Sequence, residues 1–191
     1  FYFYPIIVLI LSSIADRTVP GLITQAAFFA AFIGLALALG PSFDSLDWRG
    51  LLGAGIAAMG ATMVMICGAA AARRMDPITL TFYSQISSLP IVLAVMYFAG
   101  GPALPEGGVG WAGLGFAAGG YLFGIIFQML AVRFADPTPV SMIHNLEPLV
   151  TLIIAAVILG ERLSPLQYAG GGLVLAAVMI AGREMAGRER T

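Results

Sequence analysis

The chain has 191 residues, of which 60% are hydrophobic and only 10% charged, far below the roughly one-quarter charged of a soluble globular domain. Its nine cationic side chains are all arginine and the formal net charge is −1, which leaves neither a basic face for nucleic acid nor an acidic tail. One histidine and one cysteine supply neither an internal disulfide nor a metal-ligand cluster, so no metal and no cofactor is expected.

Apolar runs follow one another at 2–15, 20–40, 50–72, 78–99, 111–132, 138–159 and 166–182. A helix needs about 20 residues to cross the hydrocarbon of a bilayer, with a range of about 17 to 25, and all but the first run fall within it. A transmembrane barrel would instead show alternation in segments of about 10 residues, which these continuous runs lack. The expectation is an all-α polytopic membrane helix bundle of about seven transmembrane helices, with lipid as its main solvent.

The first run opens at Phe1 without a Met or a basic leader, which reads as a chain whose beginning is missing. It ends at Asp16-Arg17, and Pro20 introduces the run 20–40. The run 50–72 holds Cys67, a small packing residue. On the helix predicted over 78–99, Thr81, Ser84, Gln85 and Ser88 share a sector about 100° wide, and Pro90 frees the carbonyl of Ile86. Residues 100–110 carry Glu106 and no arginine. The run 111–132 bears Gln128 near one end and the small-residue pairs Gly115/Gly119 and Gly120/Gly124; Gly172/Ala176 repeats that theme in the last helix. Such pairs let helices approach closely, and they serve the inside of a monomer or a homodimer face equally well.

The run 138–159 carries the one acid that is not at a run's end, Glu147, with His144 one turn away. On a continuous helix Ser141, His144, Glu147 and Thr151 fall within a sector of about 120°, which must face a protein interior or a watery cavity. Pro148 lacks an N–H and is expected to free the carbonyl of His144 for a ligand or a neighbouring helix. A carboxyl so placed can bind a cationic or amine-bearing solute, or exchange a proton for it. A structural carboxyl hydrogen-bonded to another helix explains the same residue equally well. Hydroxyls in spans likewise often bond to their own helix.

Alternate crossings put Arg17, Arg73, Arg74, Arg133, Arg183, Arg188 and Arg190 on one side and only Arg49 and Arg162 on the other. By the positive-inside rule the first side is cytoplasmic, so the C-terminus lies inside and Glu106 outside, in a multi-pass protein of the cell (inner) membrane.

Two stretches echo each other. Tyr4-Pro5, a helix, Asp16-Arg17-Thr18-Val19-Pro20 and a further helix recur as Glu147-Pro148, a helix, Glu161-Arg162-Leu163-Ser164-Pro165 and the last helix. Five crossings separate the two acid–Arg turns, an odd offset that an inverted repeat produces.

The residues Asn145-Leu146-Glu147-Pro148-Leu149-Val150-Thr151, then Leu159-Gly160-Glu161-Arg162-Leu163-Ser164-Pro165, then Gly170-Gly171-Gly172 closely resemble EamA-type transporters of the drug/metabolite transporter (DMT) superfamily. The resemblance implies a ten-helix carrier of two inverted five-helix repeats with a central cavity. Residues 1–40 then form the last two helices of the first repeat, 41–49 a connecting loop, 50–182 the second repeat and 183–191 a cytoplasmic tail, with three N-terminal helices missing. Asp16-Arg17-Thr18 departs from the Gly-Glu-Arg usual in the family.

With a lone histidine, a lone cysteine and a single mid-span acid, no nucleophile–base set is assembled, and the glycine clusters lack the Lys-Ser/Thr of a phosphate loop. The expectation is therefore a gradient-driven permease or exporter of a small molecule, with a coupled proton or ion, working by alternating access. Binding is expected between the 78–99 and 138–159 helices. A non-transporting scaffold or assembly subunit is the alternative, and an intramembrane enzyme ranks behind both.

Overall fold

In a computed structural model, the described residues are 1–40, 47–102, 104–160 and 162–188. Most of the 41–49 connection, Glu161 of the second acid–Arg turn, and Arg190 lie outside them, as does the side chain of Arg188.

The runs become helices α1 (Tyr4–Ala15), α2 (Leu22–Leu39), α3 (Trp48–Ala72), α4 (Pro77–Phe98), α5 (Gly107–Phe134), α6 (Pro137–Ile143), α7 (Glu147–Leu159) and α8 (Pro165–Arg188). A 3₁₀ turn, His144–Leu146, joins α6 to α7, and together these make one span-length element. Among the described residues, six elements are long and apolar enough to cross a membrane. Helix α1 has 12 residues, about 18 Å at the helical rise, and is not one of them. Large apolar side chains cover the outside of these helices, Phe116 at 86% and Val157 at 78% exposure among them, as lipid rather than water demands.

The chain divides into two compact units, residues 1–67 with 136–191, and residues 68–135. In the first, α2 and α8 are the principal packing pair. Ala27, Phe28 and Ala31 from the first half of α2 cluster with Ala177 and Ala181 late in α8, together with Ile6 and Leu9 of α1 and Met142 of α6. Leu35 and Ala38, at the far end of α2, cluster instead with Val174 and with Leu149 of α7. Contacts that descend one helix while ascending the other make α2 and α8 antiparallel.

The approach is closest at two glycines. A Cβ built on Gly170 would stand 2.5 Å from both the Gly34 carbonyl oxygen and the Ala38 nitrogen, and one on Gly34 would stand 2.8 Å from the Gly170 carbonyl oxygen. The pairs expected from small-residue spacing behave differently. At Gly115, Gly119, Gly120, Gly124 and Gly172 nothing among the described residues lies within 4 Å of an added Cβ. Spacing along one helix marks where an approach is permitted; the opposing helix decides where it happens.

Two backbone features of the described residues recur at the echoing corners. A left-handed residue falls thirteen positions after Tyr4 (Arg17, φ 53) and thirteen after Glu147 (Gly160, φ 69). In each case the next helix starts five residues later, at Leu22 and at Pro165. Glycine takes this conformation freely, whereas Arg17 must tolerate a Cβ crowded against the carbonyl.

In the second unit the end of α3, α4 and α5 pack together, with Gly68 against the Met129 side chain. Asp76 caps α4: its Oδ2 accepts from the backbone N–H of Ile78 and of Thr79, each at 3.0 Å. The Thr79 N–H is the main reason the carboxyl is held below the usual carboxylate range, and the charge of Arg133 adds to it. Because the folded value is depressed, the cap's contribution is complete above the unfolded value, near 3.9, and is lost as pH falls through the folded one. Asp76→Ala is expected to lower the thermal midpoint by a few degrees at neutral pH and to leave it unchanged at strongly acid pH, as read by melting in detergent.

Candidate functional site

The α6–α7 element is built around prolines. Pro137 opens α6 and Pro148 occupies the first turn of α7, where its missing N–H is not needed. Pro148 cannot donate back to His144, but the carbonyl does not stay free as expected. The backbone N–H of Glu147 turns to it instead, closing the 3₁₀ turn. In α4, by contrast, the helix continues unbroken through Pro90.

The turn also changes which side chains share a face. A 3₁₀ residue advances about 120° rather than 100°, so three of them rotate the start of α7 by about 60° relative to a continuous helix. The single sector expected for Ser141, His144, Glu147 and Thr151 is therefore split. Ser141 is fully buried and donates to the Thr138 carbonyl oxygen at 2.8 Å. His144 is half-buried, while Glu147 and Thr151 are exposed.

His144 is held from a distant part of the sequence. The Tyr4 hydroxyl, on a residue only 4% exposed at the start of α1, lies 2.6 Å from Nδ1 of His144. The rings of Tyr4 and His144 are 6.3 Å apart, and those of Phe1 and Tyr4 are 5.5 Å apart. The Glu147 carboxyl is within electrostatic reach of Tyr2, Tyr4 and His144. The first unit thus gathers a carboxylate, an imidazole and two phenols where α6 meets α7. Asn145, between His144 and Glu147 in the chain, is buried, with its amide nitrogen 3.6 Å from the Met142 sulfur.

Of these, Tyr4 and Asn145 stood in the sequence only as parts of repeated or family-like strings. The one signal for Tyr4 is that it occupies, ahead of Pro5, the place that Glu147 occupies ahead of Pro148.

In the second unit, α4 and α5 are bridged by the Gln85 amide donating to the Tyr121 hydroxyl at 3.3 Å. Thr81 is buried and donates to the Pro77 carbonyl oxygen, Ser88 donates to that of Gln85, and both bonds are 2.8 Å. Ser84 is exposed, and Gln85, Ser88 and Gln128 are half-buried. Thr151 of α7 follows the same habit, its hydroxyl donating to the Glu147 carbonyl oxygen at 3.1 Å. Four of the hydroxyls expected to meet a solute thus spend their one proton on their own helix and keep only acceptor capacity.

The model of the EamA-like transporter family matches residues 48–183, from the first residue of α3 into α8, more than two-thirds of the chain. No curated protein and no solved structure matches it.

Proposed function

We propose that this chain, which belongs to the EamA-like transporter family of the DMT superfamily, moves a small metabolite or drug-like solute across the membrane by alternating access, driven by a gradient rather than by ATP. The observation that carries the reading is the interrupted α6–α7 element. It sets Glu147 at the first turn of a helix in the middle of a span, beside His144. Interrupted helices presenting polar groups at mid-membrane are the usual binding device of carriers.

Glu147 is assigned the charged contact to the solute and His144 the neighbouring polar one, with Thr151 offering acceptor oxygen. Ser141, bonded within α6, and Asn145, buried in the turn itself, are assigned structural support. In their own unit, Gln85, Ser84, Ser88 and Gln128 are assigned to cavity lining, and Thr81 to the helix start. The antiparallel course of α2 and α8 and the matching corners at Arg17 and Gly160 support two inverted repeats, one ending at α2 and the other running from α3 to α8.

The test is flux of a broad panel of labelled metabolites into proteoliposomes holding the full-length protein. At least one solute is expected to equilibrate faster than into empty vesicles. No flux for the whole panel would instead favour a non-transporting scaffold.

The arginine distribution supports a cytoplasmic C-terminus in the inner membrane, with the α4–α5 connection outside. Glu106, in that connection just ahead of α5, is exposed. In a Cys67→Ala background, Glu106→Cys is expected to react with an impermeant thiol reagent on intact cells. Protection there until the cells are opened overturns the orientation.

A further inference from the structure

We infer that His144 is a proton-binding site, and that Tyr4 is the positioning residue that ties its protonation to the contact between α1 and the α6–α7 turn. The inference deepens the carrier reading by naming the coupled ion, and it rests on that reading only for what the proton drives.

The Tyr4 oxygen lies 2.6 Å from Nδ1 of His144, and we assign the hydroxyl as the donor; Nδ1 then presents its lone pair and the neutral ring carries its proton on Nε2. Tyr4 is buried and His144 only partly so, which makes the imidazole the more accessible of the two partners. The two residues are 140 positions apart, and their bond joins α1 to the turn between α6 and α7. A displacement of α1 relative to that turn breaks it.

Protonation acts on the same bond. A proton from water adds to the Nδ1 lone pair, and the N–H so formed can only donate. The Tyr4 oxygen must then accept and turn its own hydrogen away, into surroundings that are buried. No other bond forms or breaks. The new charge on the ring is met by the Glu147 carboxylate within reach. A buried hydroxyl hydrogen without an acceptor is costly, so the protonated ring disfavours the seated arrangement and the neutral ring favours it. By reciprocity, whatever separates α1 from the turn raises proton binding at His144.

The groups facing His144 are few. Tyr2, Tyr4 and Glu147 act on it or share its surroundings. Helix α6 contributes no titratable side chain, and α2 none. Among the described side chains of α8, the titratable ones lie towards its ends: Tyr168, Arg183 and Glu184 flank the stretch Val174–Val178 that packs beside Leu146. A response to pH in this region therefore reports on His144 with its Glu147 counter-charge.

The experiment needs no substrate. Full-length protein in nanodiscs, in a Cys67→Ala background, carries nitroxides at Ile14→Cys on α1 and Val157→Cys on α7, both exposed positions. Acidification from about pH 8 to about pH 5 is expected to bring up a second distance population. His144→Gln, whose amide oxygen still accepts from Tyr4, is expected to hold one population at every pH, and Tyr4→Phe to lose the pH response independently. In ¹⁵N spectra, the signal that vanishes with His144→Gln should show the neutral ring protonated on Nε2.

A wild-type distance that ignores pH, a His144→Gln variant that still responds, or a proton on Nδ1 each overturns the proposal. If the pH response is intact but no panel solute moves, the carrier reading fails and the proton site stands. If solutes move and the distances ignore pH, the proton site alone fails.

Discussion

Gly170→Ala is expected to abolish accumulation of folded protein in the membrane, while Gly172→Ala, two residues along the same helix, leaves it unchanged. The added methyl of the first would stand 2.5 Å from two backbone atoms of α2, and backbone cannot swing aside as a flexible side chain can. Relief requires separating α2 from α8, the pair around which the first unit's two apolar clusters are arranged. Overpacking of a tight interior costs about 1–3 kcal/mol and more where nothing can yield, enough to unseat a marginally stable fold. At Gly172 the same methyl enters open space. Gly34→Ala should behave like Gly170→Ala, since its Cβ meets the Gly170 carbonyl oxygen at 2.8 Å and Val174 beside it. Monodispersity in detergent and thermal midpoint separate the outcomes. Equal behaviour of Gly170→Ala and Gly172→Ala would show that α2 and α8 do not meet as described.

That contrast also measures how far the sequence can be read. The spans were legible because a bilayer imposes one length and one solvent on them, and runs such as 78–99 and 111–132 meet both conditions without any knowledge of neighbours. The interruption near Glu147 was marked in position by Pro148, although Pro90 bears the same mark in α4 and the helix runs on through it. The form of the interruption was not marked: whether the freed carbonyl waits for a ligand or is taken by the Glu147 N–H depends on a choice between two backbone geometries of similar energy. That choice then decides whether Ser141 faces the same way as Glu147. The glycine spacings pointed to α5 and to Gly172, yet the close approach occurs at Gly34 and Gly170, neither of which belonged to a marked pair. Hydroxyl-rich faces were readable as polar but not as satisfied, because a bond such as Thr81 to the Pro77 carbonyl costs the sequence no pattern at all. The Tyr4–His144 contact had no signature, for a bond across 140 residues is a product of packing rather than of local rule.

Glu147→Gln is expected to reduce flux of the transported solute by about a hundredfold or more while the protein remains folded. The side chain is exposed, so replacing it with an isostere leaves no buried partner stranded and no cavity. What it removes is the negative charge that Tyr2, Tyr4 and His144 all sense, and with it a charge-assisted hydrogen bond to a cationic or amine-bearing solute. At about 1.4 kcal/mol for each tenfold, a hundredfold loss corresponds to about one hydrogen bond to a charged group. Glu147→Asp keeps the charge but shortens the arm, and should retain an intermediate rate. Thr151→Val provides the contrast on the same helix: its hydroxyl proton is already committed to the Glu147 carbonyl oxygen, so only a neutral acceptor is lost and flux should fall by about tenfold or less. The thermal midpoint of each variant must match the wild type for the comparison to hold. Wild-type flux in Glu147→Gln would return this carboxyl to a purely structural role and would move the search for the solute contact to α4 and α5, where Gln85 already reaches Tyr121.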